Sequence, residues 1–268
     1  MLNALNAYYD AAATILAARP DSRDLMSSTA ECLKKTYIMM QSALGTEASL
    51  EIGARGAEYS LEMANTYGEA IAICALEASP RTHAYFSKEV NYKQFGVRYI
   101  NALVAEHDGK TVFYEYMYEG MEAAAGLSSL LVRDLKQHGA ARRTRSTIKS
   151  IRGDTFIEST FKKHKKIALW IDVEGAQAEV LHSLSGAFAR GIINAVYIEV
   201  EKKKLWLEQK MLDNDVIAFM QAQNFSSFLR DNEYDTQYNI IFVHNDIQDC
   251  DFSFFFEHYR TLLRQEPA

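Results

Sequence analysis

The segment Ser49-Leu50-Glu51-Ile52-Gly53-Ala54-Arg55-Gly56-Ala57-Glu58-Tyr59-Ser60 (residues 49–60) runs from a short apolar strand through a turn of small residues into a helical pattern. Small residues let the backbone approach a ligand closely, and the free N–H groups at the start of a helix suit an anion such as a carboxylate. A dinucleotide would lay its pyrophosphate on this turn and would need three glycines in the order GxGxxG. Only Gly53 and Gly56 are present, so the turn disfavours NAD.

The second apolar run ends at Glu77, within Ala75-Leu76-Glu77-Ala78-Ser79-Pro80. An acidic residue at that place can accept both hydroxyls of a ribose. A turn suited to a carboxylate followed by a ribose acceptor describes a nucleoside joined to something other than a pyrophosphate, and S-adenosylmethionine fits. A third segment, Ile167-Ala168-Leu169-Trp170-Ile171-Asp172-Val173-Glu174-Gly175, closes a buried strand in two carboxylates and a glycine. Side-chain alternation along a strand predicts Asp172 and Glu174 on one side. Glu199 and Glu201 end the next strand in the same manner, and with Asp172 they offer oxygens that would suit Mg²⁺; solvated or lysine-paired carboxylates are the simpler reading, and no metal is assigned.

Working outward, apolar runs at 49–52, 70–76, 97–104, 167–173 and 195–200 alternate with amphipathic stretches, which predicts a parallel sheet with helices on both faces. Ser79-Pro80 reads as a helix start, with Ser as the cap and Pro in the first turn. Two hairpins are expected. Asp108-Gly109 would join 97–104 to 111–116 by a type I′ turn, and 226–230 would pair with 239–243. The fold class expected is therefore α/β: a Rossmann-like sheet, mostly parallel, closed by an antiparallel C-terminal hairpin, with its ligand at the carboxyl ends of the strands. Residues 1–45 read as a helical N-terminal extension, since Met26, Leu33, Tyr37, Met40 and Leu44 recur at helical spacing and Gly45 is placed to end the helix. Residues 46–268 form the main domain.

The chain has 268 residues, 48% hydrophobic and 24% charged, so general disorder is excluded. A net charge of -6 argues against nucleic-acid binding through whole-molecule charge. The cysteines Cys32, Cys74 and Cys250 are odd in number, lack zinc spacing and favour a reducing compartment. No apolar run approaches the ~20 residues of a membrane span, and the stretch Ala11 to Ala18 lacks the basic segment of a signal peptide. The expected location is cytoplasmic.

In the order EIGARGAEYS (51–60 with its lead-in Glu51), ALEASP (75–80), Asn101-Ala102-Leu103, Ser128-Ser129-Leu130 and IDVEGAQAEVL (171–181), the chain resembles the FkbM-type family of class I S-adenosylmethionine-dependent methyltransferases from about Ser49 to Val243. It departs from the family pattern at Arg55, Ala57, Trp170 and Gln177. The resemblance implies that the turn Gly53, Ala54, Arg55 and Gly56 holds the methionine part of the cofactor and Glu77 the ribose. Asn101, Ala102 and Leu103 would lie beside the adenine, and Asp172 would face the methyl group. Glu51, Tyr59 and Ser60 of the first motif are counted with the cofactor-binding residues. Asp172, Glu199 and Glu174 are the candidate bases.

The acceptor implied by this family is a sugar or glycan hydroxyl, which makes carbohydrate modification the expected role. The runs Arg142-Arg143-Thr144-Arg145 and Lys162-Lys163-His164-Lys165-Lys166, each read as preceding a strand, would attract an anionic acceptor, although a solvated face is the usual meaning of such runs. RNA methylation, and a cofactor-binding module without catalysis, are the alternatives. His83 and His182 read as helix-surface residues. The aromatic stretch Phe252 to Phe256 reads as core or as a contact between copies of the chain.

Overall fold

The computed structural model describes residues 22–117, 127–134, 142–231 and 235–247. In chain order its helices are α1 (Ser22–Ala43), α2 (Glu58–Tyr67), α3 (Pro80–Glu89), α4 (Gly153–Thr160), α5 (Gln177–Ser183), α6 (Ser185–Ala189) and α7 (Asp213–Ala222). The central strands are β1 (Ala48–Ile52), β2 (Ala72–Glu77) and β3 (Val97–Asn101), then β4 (Leu103–Val104), β5 (Gly109–Met117), β6 (Val132–Arg133) and β7 (Arg142–Ile151) of the smaller sheets. The list closes with β8 (Ile167–Ile171), β9 (Ile193–Glu201), β10 (Trp206–Leu207), β11 (Phe225–Arg230) and β12 (Gln237–His244).

Seven strands form the main sheet in the order β11-β12-β9-β8-β1-β2-β3. The five from β9 to β3 run parallel, while β12 lies antiparallel between β9 and β11. This is the Rossmann-like arrangement with an antiparallel C-terminal hairpin that the sequence predicts. β1 is buried along its whole length, as a central parallel strand covered on both faces must be. Ala48, Leu50 and Ile52 join the core on one face. Ser49 and Glu51 point to the other, where α2 satisfies them: Ser49 Oγ lies 3.0 Å from Tyr59 Oη, and Glu51 accepts the Ser60 N–H at 3.1 Å.

Helix α1 belongs to that second face. Leu33, Tyr37, Met40 and Leu44 are fully buried, and Tyr37 Oη reaches through the layer to donate to the Leu169 carbonyl at 2.7 Å. Gly45 ends the helix region at φ +63. Trp170 of β8 is sandwiched between Tyr59 and Tyr197, at ring-centroid distances of 4.4 and 3.6 Å. Residues 1–21, Cys250 and the Phe252 to Phe256 stretch lie outside the described residues. Cys32 and Cys74 are buried free thiols, and no described helix is long and apolar enough to cross a membrane.

Three expectations are corrected. The run 97–104 breaks at Ala102, so that β3 stays in the main sheet while β4 enters a three-stranded sheet of order β4-β7-β5. Asp108-Gly109 makes no hairpin between them. Asp108 is not in the left-handed region that a type I′ turn needs; its carboxylate instead accepts the Arg152 N–H at 2.8 Å and the Thr155 hydroxyl at 3.0 Å, at the start of α4. β5 pairs with β7, so the basic run Arg142 to Arg145 lies within a strand rather than before one. Its charged and hydroxyl side chains lack the apolar alternation that marks a strand in sequence. The second run, 162–166, does precede β8.

Candidate active site

The chain leaves β1 toward β2 on one side, and β8 lies on its other side. A crevice therefore opens at the carboxyl ends of β1 and β8, the place where sheets of this kind bind ligands. The turn after β1 is held by two N–H groups, of Gly53 and Ala54, that both donate to the Leu76 carbonyl at 3.0 and 2.9 Å. Gly53 sits at φ +85, and a Cβ there would lie 2.7 Å from the carbonyl carbon of Asp172, so only glycine lets β1 and β8 close together. Arg55 and Ala57 also adopt positive φ, which carries the chain sharply over the strand end into α2.

Glu77, at the end of β2, is buried and accepts two backbone N–H groups, from Arg55 at 2.7 Å and from Ser79 at 2.6 Å. Burial pushes its carboxyl up to about 7, against the lowering effect of those two donors. Ser79 caps α3 by accepting the Thr82 N–H at 3.1 Å, and its hydroxyl donates to Glu115 of β5. A cleft lies here; its walls include Gly53, Arg55, Glu77, Ala102, Leu103, Phe113, Asp172 and Glu174.

The other sequence candidates take supporting places. Asn101 donates its side-chain amide to the carbonyls of Glu77 and Ala78, at 2.8 and 3.1 Å. The Gly56 carbonyl accepts the Tyr92 hydroxyl at 2.8 Å. Ala54, Glu51, Tyr59 and Ser60 are buried behind the turn, and Glu51 is raised to about 8 by burial there. The Arg55 side chain pairs with Glu58 at 3.0 Å and lies over the Phe86 ring at 5.5 Å.

Past the cleft, carboxylate oxygens of Asp172, Glu174 and Glu199 all lie within 4.8 Å of one another. Strand alternation is not what joins the first two, since β8 stops at Ile171. Glu174 stands in a turn at φ +50, followed by Gly175 at φ +88. Glu199 Oε2 accepts Gln237 Nε2 at 2.7 Å, while its Oε1 is buried with no hydrogen-bond partner. Burial first, and the neighbouring Asp172 charge second, hold Glu174 and Glu199 well above the usual carboxylate range. Carboxylates at this spacing disfavour one another's ionised forms, which a shared proton or a cation would relieve. The oxygen-rich set expected from sequence is corrected in one member: Glu201 turns to Gln209, whose amide donates at 2.9 Å, and Glu174 takes its place.

A small roof covers the cluster, and sequence reading missed its residues. Ser129 Oγ donates to the Glu174 carbonyl at 2.6 Å. β6 and β10 form a two-stranded ribbon, and Trp206 of β10 packs directly on Gly175, where a Cβ would lie 2.6 Å from Trp206 Cγ. Arg133 of β6 stacks over Trp206 at 5.2 Å, with Nε and Nη1 buried and without partners. Cleft residues Thr82, Phe113, Ser128 and Leu130 were also not singled out as contacts; the Ser128-Ser129-Leu130 motif is the signal that could have found three of the roof and cleft residues. The buried Glu77 carboxylate and the glycine-bounded turn after β1 thus stand together at one end of the cleft.

The family model of the methyltransferase FkbM domain matches residues 16–227. No curated protein sequence matches the chain. Solved structures of similar fold include a SAM-dependent methyltransferase from Aquifex aeolicus, with 10% identity over 77% of this chain and 88% of that one at a TM-score of 0.38. Another is magnesium protoporphyrin IX methyltransferase from Synechocystis PCC 6803, with 9% identity over 80% of each chain and a TM-score of 0.42. A third is precorrin-6y C5,15-methyltransferase from Geobacter metallireducens, with 12% identity over 78% of this chain and 88% of that one at a TM-score of 0.38.

Proposed function

Because the chain belongs to the FkbM family of S-adenosylmethionine-dependent methyltransferases, we propose that its acceptor is a hydroxyl group of a sugar or glycan and that the reaction is an O-methylation. The observation that carries this reading is the cluster of Asp172, Glu174 and Glu199 beside the cofactor cleft. Bound S-adenosylmethionine supplies an electrophilic methyl carbon. What remains for the protein is to align an oxygen with that carbon and to take its proton.

Glu77 and the Gly53 to Gly56 turn would hold the cofactor, and Asp172, at the junction of cleft and cluster, would face the acceptor oxygen. A sugar hydroxyl is far less acidic than a carboxylic acid, so its proton leaves late, as the new bond forms. A carboxylate raised by burial is a stronger base at neutral pH than an exposed one. Glu199, with one buried oxygen lacking a donor, and Glu174 are suited to receive that proton or pass it on. Positioning contributes as much as basicity, and the roof of Trp206 and Ser129 fixes the turn that carries Glu174.

The test uses Asp172→Asn and Glu199→Gln, assayed on a sugar acceptor with and without EDTA. Loss of turnover with cofactor affinity retained supports the reading, and EDTA sensitivity would turn the same carboxylates into metal ligands. Full activity in both variants removes this cluster from the reaction.

A further inference from the structure

The sheet β4-β7-β5 forms one wall of the cleft, and its two faces differ sharply. Register pairs Phe113 with Ser146 and Glu115 with Thr144. On that inner face Phe113 lines the cleft and Glu115 accepts the Ser79 hydroxyl. The opposite face carries, by the same register, Lys110 against Lys149 and Tyr114 against Arg145, with Arg143 one pair further along.

Lys110, Arg143, Arg145 and Lys149 are all exposed. Among the described residues none of the four makes an ion pair or a side-chain hydrogen bond; the one recorded contact is the Arg143 guanidinium over the Tyr114 ring at 5.6 Å. Like charges directly opposite each other in a strand pair are unfavourable, yet Lys110 and Lys149 stand in that relation. The described part of this face holds no acidic residue, in a chain whose net charge is -6. A row of cations with no acidic partner among the described residues, on a protein of net negative charge, is a local field suited to a negative partner.

We propose that this outer face binds an anionic glycan chain, carrying carboxylate or sulfate groups, that includes or adjoins the acceptor sugar. The inference rests on the sugar O-methylation reading above and names its substrate class. From Arg143 to Lys149 the row spans roughly 20 Å of strand, enough for several sugar units to lie along it, on the side of the sheet opposite the cleft-lining Phe113. Single-stranded nucleic acid is the less suited polyanion. It binds through several stacking aromatics in a broadly basic groove, whereas of the two rings on this face Tyr116 is fully buried beside Trp206 and Tyr114 is already covered by Arg143.

The test titrates the protein loaded with S-adenosylhomocysteine with an oligogalacturonate, with the neutral galactose oligomer and with oligouridylate, at low and at physiological salt. Expected is salt-sensitive binding of the oligogalacturonate alone, weakened at least about tenfold when Arg143→Gln, Arg145→Gln and Lys149→Gln are combined. Melting temperature and cofactor affinity of that variant should stay at the wild-type values. Equal oligogalacturonate affinity in the variant, or no binding by wild type, overturns the proposal; tighter binding of oligouridylate overturns it in favour of nucleic acid. A wild type that methylates a neutral sugar but ignores the oligogalacturonate sinks this inference alone, whereas failure of the O-methylation reading itself shows in the turnover assays of Asp172 and Glu199.

Discussion

The backbone N–H of Arg55 donates to Oε2 of Glu77 at 2.7 Å, so the turn that follows β1 and the carboxylate that ends β2 are one hydrogen-bonded unit across 22 residues. With Ser79 N–H on the other oxygen, Glu77 is fixed in direction, and its remaining lone pairs are what it can offer to a ligand.

From this comes a prediction about cofactor affinity. If Glu77 accepts the ribose hydroxyls as proposed, it does so in its ionised form; with burial pushing its carboxyl up to about 7, the affinity for S-adenosylmethionine should fall as pH drops through that value. Charge-assisted hydrogen bonds contribute about 1.5–3 kcal/mol each, so Glu77→Ala should bind at least about tenfold more weakly. Calorimetry on either side of neutrality checks both points: wild-type affinity that is flat with pH, or an unimpaired variant, would remove Glu77 from the ribose site.

Gly175 makes a prediction about the roof. At φ +88, with the Trp206 ring in the way of any Cβ, Gly175→Ala should lose roughly 1–3 kcal/mol of stability from overpacking alone, and more from the strained backbone. The turn carrying Glu174 would move with it. Turnover should drop more than cofactor affinity, and the indole emission of Trp206 should shift. A variant with wild-type melting temperature and emission would contradict this packing.

Stability should depend on pH through Glu51. Its folded-state carboxyl is raised from the model-compound value of 4.5 to about 8 by burial. A raised group stabilises the fold fully below the unfolded value, and that contribution is lost as pH rises through the folded one. The melting temperature of the cofactor-free protein should therefore decline between about pH 5 and pH 8. Glu51→Gln keeps an acceptor for the Ser60 N–H and carries no charge, so it should make the decline shallower, leaving the part due to the other raised carboxyls such as Glu77. Near pH 8 it should be the more stable form by roughly one to several kcal/mol. An unchanged slope in the variant would mean that Glu51 does not carry it.

For Arg55, the ion pair with Glu58 is exposed, and such pairs contribute at most about 1 kcal/mol. Arg55→Ala should leave stability nearly unchanged and raise the acceptor KM, with cofactor affinity retained because the turn uses its backbone. A change confined to cofactor affinity would assign the side chain to the methionine carboxylate instead.

Local chemistry wrote much of this protein into its sequence. A central parallel strand is buried on both faces, so β8 is legible as an apolar run, and β1 and β9 as runs broken only by polar residues such as Glu51 and Glu199. Ser79-Pro80 reads as a helix start, and Gly53 reads as a turn glycine; its close approach to Asp172 shows only in the packed sheet. The turn from Gly53 to Gly56 and Glu77 follow, because each lies at the end of such a run.

Tertiary structure alone decided the rest. Nothing local places Arg143 in a strand, since β7 draws its order from β5, about thirty residues earlier, and turns a charge run into a cationic face. The acid cluster is likewise assembled by contact at a distance. Glu199 arrives from the neighbouring strand, Glu174 is set by a turn with positive φ, and Gln209 draws Glu201 away. Trp206 and Ser129 then hold that turn from separate parts of the chain. Spacing in sequence determines which side chains share a strand face, but carboxylates from different elements are gathered only when the sheet and its roof have packed, because their mutual repulsion must be outweighed by burial that no single segment supplies.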